Sequence, residues 1–215
     1  MLANIPANVV AIFCEEIGLN GSLPQSELPE SVSGLIFYTI QIAVVPPLVE
    51  EFAFRGIALS RLRRFGDGFA IFATAFLFAL FHGNIIQFVF TFFVGLYFGF
   101  IMVKTNNLLL PILLHALNNG LSVFLELIMH FYGEDFGNSL YAGIFVGSLF
   151  VGIAALLVLL VHHKEVFRSS PNPVPVGFGV KLGALLTNPG VIALFLYSCY
   201  SSILFLVMDF SELGY

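Results

Sequence analysis

Charge is what this chain has least of: Asp, Glu, Lys and Arg make up 10% of its 215 residues, against about 25% in ordinary soluble domains. Hydrophobic residues reach 59% and the mean hydropathy is +0.98. So much apolar surface is expected to face lipid, which makes the chain an integral membrane protein. Basic residues are fewer than acidic ones, eight against thirteen, giving a net charge of −5 and a pI near 5.4. Nucleic acid requires Lys and Arg clustered on an accessible face, so it is excluded as a partner. Only two cysteines occur, Cys14 and Cys199. They lie far apart without metal-type or redox-type spacing and read as small buried hydrophobes. The first ten residues have neither a basic n-region nor a small-residue cleavage pattern, so no cleavable signal peptide is expected. H-E-x-x-H and G-x-S-x-G are both missing, which removes the helical zinc signature and the nucleophile elbow.

What the chain has instead is long apolar runs, over 32–49, 69–81, 85–103, 108–131, 140–161 and 190–208. Their lengths predict an all-α polytopic transmembrane bundle of about six to seven membrane helices around an intramembrane polar cavity. Two intervals read as loops: 19–31, rich in Pro, Ser and Glu, and 162–188, which carries Pro171, Pro173 and Pro175. Neither has room for a soluble second domain, so 1–215 is read as a single membrane-embedded domain with its motif core at 45–120. Pro46-Pro47 should break the first long run, with a new helix from near Pro47 to about Arg64.

If each run crosses once, Arg61, Arg63, Arg64, Lys104, Lys164, Arg168 and Lys181 fall on one side. The other side receives Glu15, Glu16, Glu27, Glu30, Glu134, Asp135, Asp209 and Glu212. The positive-inside rule makes the basic side cytoplasmic.

Three polar constellations interrupt the oily segments: Glu50-Glu51-Phe-Ala-Phe-Arg55, Phe78-Ala-Leu-Phe-His82 and His115-Ala-Leu-Asn118-Asn119. An ionisable group inside a membrane helix costs roughly 2.5 to 3.5 kcal/mol on insertion scales and marks function by default. Glu51 and Arg55, Phe78 and His82, and His115 and Asn119 are each four residues apart, so each pair shares a helix face. Glu50 is rotated by about 100° from Glu51, and the two carboxylates need not share a role. Counting rise per residue from the basic ends puts all three constellations at compatible depths. The tight Gly83-Asn84 link is tolerable there only if it is buried in protein or beside a wet cavity.

A carboxylate beside a neutral imidazole in a poorly solvated cavity can hold and deprotonate a water. A second imidazole and an amide can donate to the oxyanion of a tetrahedral intermediate. The set suits amide hydrolysis. Alternatively, Glu50, His82 and His115 offer two imidazoles and a carboxylate to a zinc ion, and both readings stay open on the residues alone.

These motifs, EExxxR, FxxxH and HxxxN in that order, resemble those of the CPBP family of intramembrane proteases, the CAAX prenyl protease and bacteriocin-processing (Abi) proteins. The resemblance covers about a third of the chain. It implies that Glu50 and His82 activate the hydrolytic water, that His115 and Asn119 stabilise the oxyanion, and that Glu51, Arg55 and Phe78 support them. Family members are described as metalloproteases or as glutamate-type proteases, so zinc is one alternative and metal-independent hydrolysis the other. The implied partners are the bilayer and a hydrophobic or lipidated peptide, prenylated or bacteriocin-like. The compact size and the lack of organelle signals make a prokaryotic plasma membrane, crossed several times, the expected location, and the cavity is expected to open toward the cytoplasmic leaflet.

Two rivals from other classes exist. Intramembrane Glu and His also build relays in proton-coupled or ion transporters, although no inverted repeat of the transporter kind is visible. The other is a bacteriocin immunity or membrane partner protein that binds and does not hydrolyse.

Overall fold

The computed structural model describes residues 4–21, 28–168, 174 and 176–207. Glu27, Pro171, Pro173, Pro175, Met208, Asp209 and Glu212, assigned above to loops, a helix end or the acidic side, lie outside the described residues. Among the described residues there is no strand, and the secondary structure is helical throughout.

Helix α1 (Asn4–Glu16) is followed by α2 (Val32–Ala43), whose first turn is capped by Ser31 Oγ accepting from the Gly34 amide at 3.1 Å. The chain bends at Val44 (φ −118°, ψ −53°) and continues as α3 (Val45–Glu51), with Pro46 and Pro47 in its first turn. The helix thus restarts two residues before Pro47 and ends at Phe65. Proline is accepted in a first turn because its missing N–H would have no intrahelical partner there. Beyond Glu51 lies a wide π-helical stretch, Phe52–Leu59, then α4 (Ser60–Leu62) and a 3-10 turn, Arg63–Phe65. Taken together 32–65 would be roughly 50 Å long if straight, more than a hydrocarbon core of about 30 Å.

The apolar runs become α5 (Asp67–Phe81), α6 (Ile85–Thr105), α7 (Leu109–Tyr132) and α8 (Glu134–His162). The interval 162–188, expected to be a loop, contains a short helix, α9 (Phe178–Leu186), because Val180, Leu182, Leu185 and Leu186 give it an apolar stretch free of Pro. The last run becomes α10 (Pro189–Val207). Five stretches, 32–65, 85–105, 109–132, 134–162 and 189–207, are long and apolar enough to cross a membrane, and α5 is a shorter apolar helix between them. The protein is a helical membrane bundle.

At its centre α5 lies tightly against α6. Ala70, Ala73, Ala75 and Ala79 are buried on α5, and a Cβ added to Gly95 of α6 would come within 3.1 Å of Ala75. Lipid offers helices no hydrophobic drive to associate, so small side chains that let backbones approach closely do that work. This contact also sets where the ends of α5 and α6 stand, and with them His82.

The basic residues gather at one end of the bundle. Lys104 Nζ donates to the Arg168 carbonyl, Lys181 Nζ to the Phe65 carbonyl, and Arg63 Nη1 to Asn106 Oδ1 at 3.3 Å. At the other end the Asn20 amide donates to the Leu206 carbonyl at 3.1 Å, joining the chain beyond α1 to the end of α10.

Candidate functional site

The first carboxylate pair comes from α3. Glu51 is fully buried, and its Oε1 accepts from two cations or potential cations: Arg55 Nη1 at 2.9 Å and His115 Nδ1 at 2.9 Å. Arg55, also fully buried, gives its Nη2 to the Gly95 carbonyl at 3.2 Å. Its guanidinium lies 4.5 Å from the centre of the Phe78 ring and 5.6 Å from that of Phe98, so π faces cover what hydrogen bonds do not. Glu51–Arg55 is a buried scaffold pair, as the i, i+4 spacing indicated, with His115 as an additional partner.

Glu50 leaves the helix in a different direction and reaches a cavity of about 400 Å³, where Phe78, His82, His115, Asn118 and Asn119 also face. All four residues expected to carry chemistry, Glu50, His82, His115 and Asn119, therefore line one space although they come from three separate stretches of chain. Glu50 Oε2 stands 3.9 Å from His115 Nε2. Phe78 packs edge-on between the imidazoles, 4.8 Å from His82 and 6.0 Å from His115 by ring centres.

The tautomers follow from the partners. His82 Nδ1 is 2.8 Å from the Phe78 carbonyl, which can only accept, so Nδ1 carries the proton and Nε2 is the free acceptor. His115 Nδ1 faces a carboxylate and donates likewise, leaving Nε2 toward Glu50. Asn119 Nδ2 donates to the Ile42 carbonyl at 3.0 Å, and Asn118 Nδ2 donates to Asn119 Oδ1 at 3.3 Å. The Ile42 carbonyl is the one that residue 46 would bond in a continuous α-helix, and Pro46 has no N–H to give.

His82 is held at the end of α5 by a sharp link. Gly83 has φ +63°, and Asn84 caps α6 by accepting from the Ile86 amide at 2.8 Å and the Gln87 amide at 3.2 Å. Ser202 Oγ of α10 donates to the Gly83 carbonyl at 3.3 Å. The link is buried in protein beside the cavity, which meets the condition set for it by its depth.

Several lining residues fall outside the motifs: Gln87 and Thr91 on α6, Asn4 and Asn8 on α1, and Tyr141 on α8. Gln87 and Thr91 are four apart within an otherwise oily run, a polar stripe that was available as a signal. Asn4, whose Nδ2 donates to Tyr141 Oη at 3.3 Å, gave none, because that contact joins distant stretches. Phe98 and Gly95 were equally silent among so many similar residues.

Between the site and the basic end, Leu59, Ala70, Met102 and Val103 form a buried apolar cluster. The cavity extends along the C-terminal end of α5, the N-terminal half of α6, the middle of α7 and the start of α8, on the side of the site away from that cluster. A motif gives the depth of its residues but not which side of them is filled.

Among the described residues no group of three His, Cys, Asp or Glu side chains stands close enough to hold one ion. Glu50 and His115 converge, but His82 does not complete a three-ligand set with them. As the side chains stand, the residues do not fit the metal.

No curated protein and no solved structure matches the chain. Residues 32–121, the stretch that carries all three motifs, match the family model Rce1-like, described as Type II CAAX prenyl endopeptidase Rce1-like.

Proposed function

We propose that this protein is an intramembrane endopeptidase that hydrolyses a peptide bond in a hydrophobic or lipidated peptide, using a water activated by Glu50. The observation that carries this reading is the convergence of Glu50, His82, His115 and Asn119 on one cavity, with the buried Glu51–Arg55 pair behind His115. A bacterial or archaeal plasma membrane is the setting proposed for it.

In this mechanism the Glu50 carboxylate takes one proton from the water while His82 Nε2 accepts a hydrogen bond from the other. The water oxygen attacks the carbonyl carbon, whose oxygen becomes the oxyanion. His115, with Nδ1 held by Glu51, donates from Nε2 when doubly protonated, and the second N–H of Asn119 Nδ2 donates beside it. Donors fixed in place before reaction stabilise such a charge by roughly 2.7 to 4 kcal/mol each. The proton on Glu50 then passes to the amide nitrogen and the C–N bond breaks; the acyl product leaves with the second water proton as a carboxylic acid, which passes that proton to the amine to give carboxylate and ammonium.

The test is cleavage of a quenched hydrophobic peptide by the reconstituted protein. Glu50→Gln is isosteric and cannot take the proton, so the rate should fall by about 10² to 10⁴, the range for general-base catalysis. The wild-type rate should persist in 1,10-phenanthroline. Full activity in Glu50→Gln would sink the hydrolase reading; inhibition by the chelator with recovery on adding zinc would restore the metal alternative.

A further inference from the structure

The cavity and the basic end lie on opposite sides of the site. On the basic side the interior is filled: Glu51 and Arg55 come first, then Leu59, Ala70, Met102 and Val103, with Leu62, Ile71 and Leu108 packed around them. On the other side the cavity stays open, and amides and hydroxyls from Asn4, Asn8, Gln87, Thr91, Asn118 and Ser122 are interspersed with apolar side chains such as Ile86, Phe90, Val94 and Leu125. Counting helical rise, Gln87 lies roughly 26 Å from Lys104 along α6, and Tyr141 roughly 32 Å from His162 along α8. A peptide moving toward Glu50 therefore meets an uncharged wall of mixed amide, hydroxyl and apolar side chains from one direction and a packed apolar plug from the other.

The chain has eight Lys and Arg residues in all. Arg55 is buried beside the site, and the other seven, Arg61, Arg63, Arg64, Lys104, Lys164, Arg168 and Lys181, belong to the plugged end. None is left for the cavity end. A bias of this kind sets orientation, with the Lys- and Arg-bearing end in the cytoplasm.

Resting on the hydrolase reading above, we infer that the site is reached from the non-cytoplasmic side of the membrane, and that its substrate is an uncharged stretch of polypeptide presented there. Asn and Gln side chains both donate and accept, as a peptide backbone does, so the lining can pair with an extended segment whatever its side chains. Among the described lining residues neither Lys nor Arg is present to select an anionic ligand.

Single-cysteine variants of the full chain test this. With Cys14→Ala and Cys199→Ser as background, Gln87→Cys and Asn8→Cys report the cavity and Arg61→Cys reports the basic end. A membrane-impermeant maleimide should label Gln87→Cys and Asn8→Cys in sealed right-side-out vesicles and Arg61→Cys in inverted ones. Labelling of the cavity cysteines only in inverted vesicles would overturn the inference. In parallel, an impermeant peptide of uncharged residues should be cleaved by right-side-out vesicles carrying the wild-type chain, with cleavage lost in Glu50→Gln. Cleavage confined to inverted vesicles would also overturn it. Absence of cleavage on both sides and in detergent would count against the hydrolase reading alone, because labelling reports sidedness without any reaction.

Discussion

Two adjacent carboxylates do different work because a helix turns them by about 100° per residue. Glu50 reaches the cavity, whereas Glu51 is closed off between Arg55 and His115. Removing one partner of a buried ion pair leaves the other charge uncompensated, at a cost of about 3 to 5 kcal/mol. Glu51→Gln should therefore lower the thermal stability of the purified protein sharply, while Glu50→Gln leaves it near wild type. Replacing the whole pair, Glu51→Leu with Arg55→Leu, should recover most of the lost stability, since a buried pair can be exchanged for packed apolar groups at little cost. It should not recover peptide cleavage, because His115 Nδ1 then has no carboxylate to hold its tautomer and direction. Thermal unfolding in detergent alongside cleavage rates would check both halves; a double variant with wild-type cleavage would show that Glu51 contributes folding only. The i, i+4 spacing made the Glu51–Arg55 pair legible in sequence. The His115 contact was not, because it joins residues 64 positions apart and depends on how α7 packs on α3.

Pro46 and Asn119 are linked at the level of the helix. Pro46 leaves the Ile42 carbonyl without its usual backbone donor, and Asn119 of α7 supplies one at 3.0 Å. Asn119 thus ties the bend between α2 and α3 to the helix that carries His115, in addition to its proposed role at the oxyanion. An unsatisfied acceptor costs about 1 to 3 kcal/mol when fully buried; the Ile42 carbonyl is part-buried, so Asn119→Ala should destabilise the protein by about 1 kcal/mol, the low end of that range. In a Pro46→Ala background the backbone N–H returns to the Ile42 carbonyl, and the same Asn119→Ala change should cost less stability but still slow cleavage. A double-mutant cycle on thermal unfolding measures the coupling; strictly additive losses would mean that Asn119 does not replace the missing donor. The sequence announced the break through Pro46-Pro47 and the helices through their apolar runs. It did not announce the π-helical stretch Phe52–Leu59, which holds Arg55, since neither composition nor periodicity distinguishes one extra residue per turn from an ordinary helix.

Across the whole molecule the largest apolar surfaces face outward. Phe150 and Val151 on α8 are 70% and 71% exposed, and the most apolar window of that helix has no buried residue. In water such a surface would drive aggregation, so the bilayer is an obligatory partner and α8 meets it along most of its length. That much was legible from hydropathy. The direction of the cavity was not, because it depends on which interior levels are filled, and Leu59, Ala70, Met102 and Val103 meet only once α5 and α6 have packed. The division between lipid-facing and cavity-facing residues leads to a prediction for α8, which lines the cavity at Tyr141 only, near its start. Val151→Lys, nearer the middle of the helix, puts a cation where insertion scales charge about 2.5 to 3.5 kcal/mol. The yield of membrane-integrated protein should fall, whereas the fraction that inserts should cleave peptide at the wild-type rate, with Val151→Leu as the neutral control. Quantifying integrated protein and normalising cleavage to it separates the two effects. A loss of normalised activity would mean that the outer face of α8 takes part in more than contact with lipid, and would move it from the bilayer boundary into the working part of the bundle.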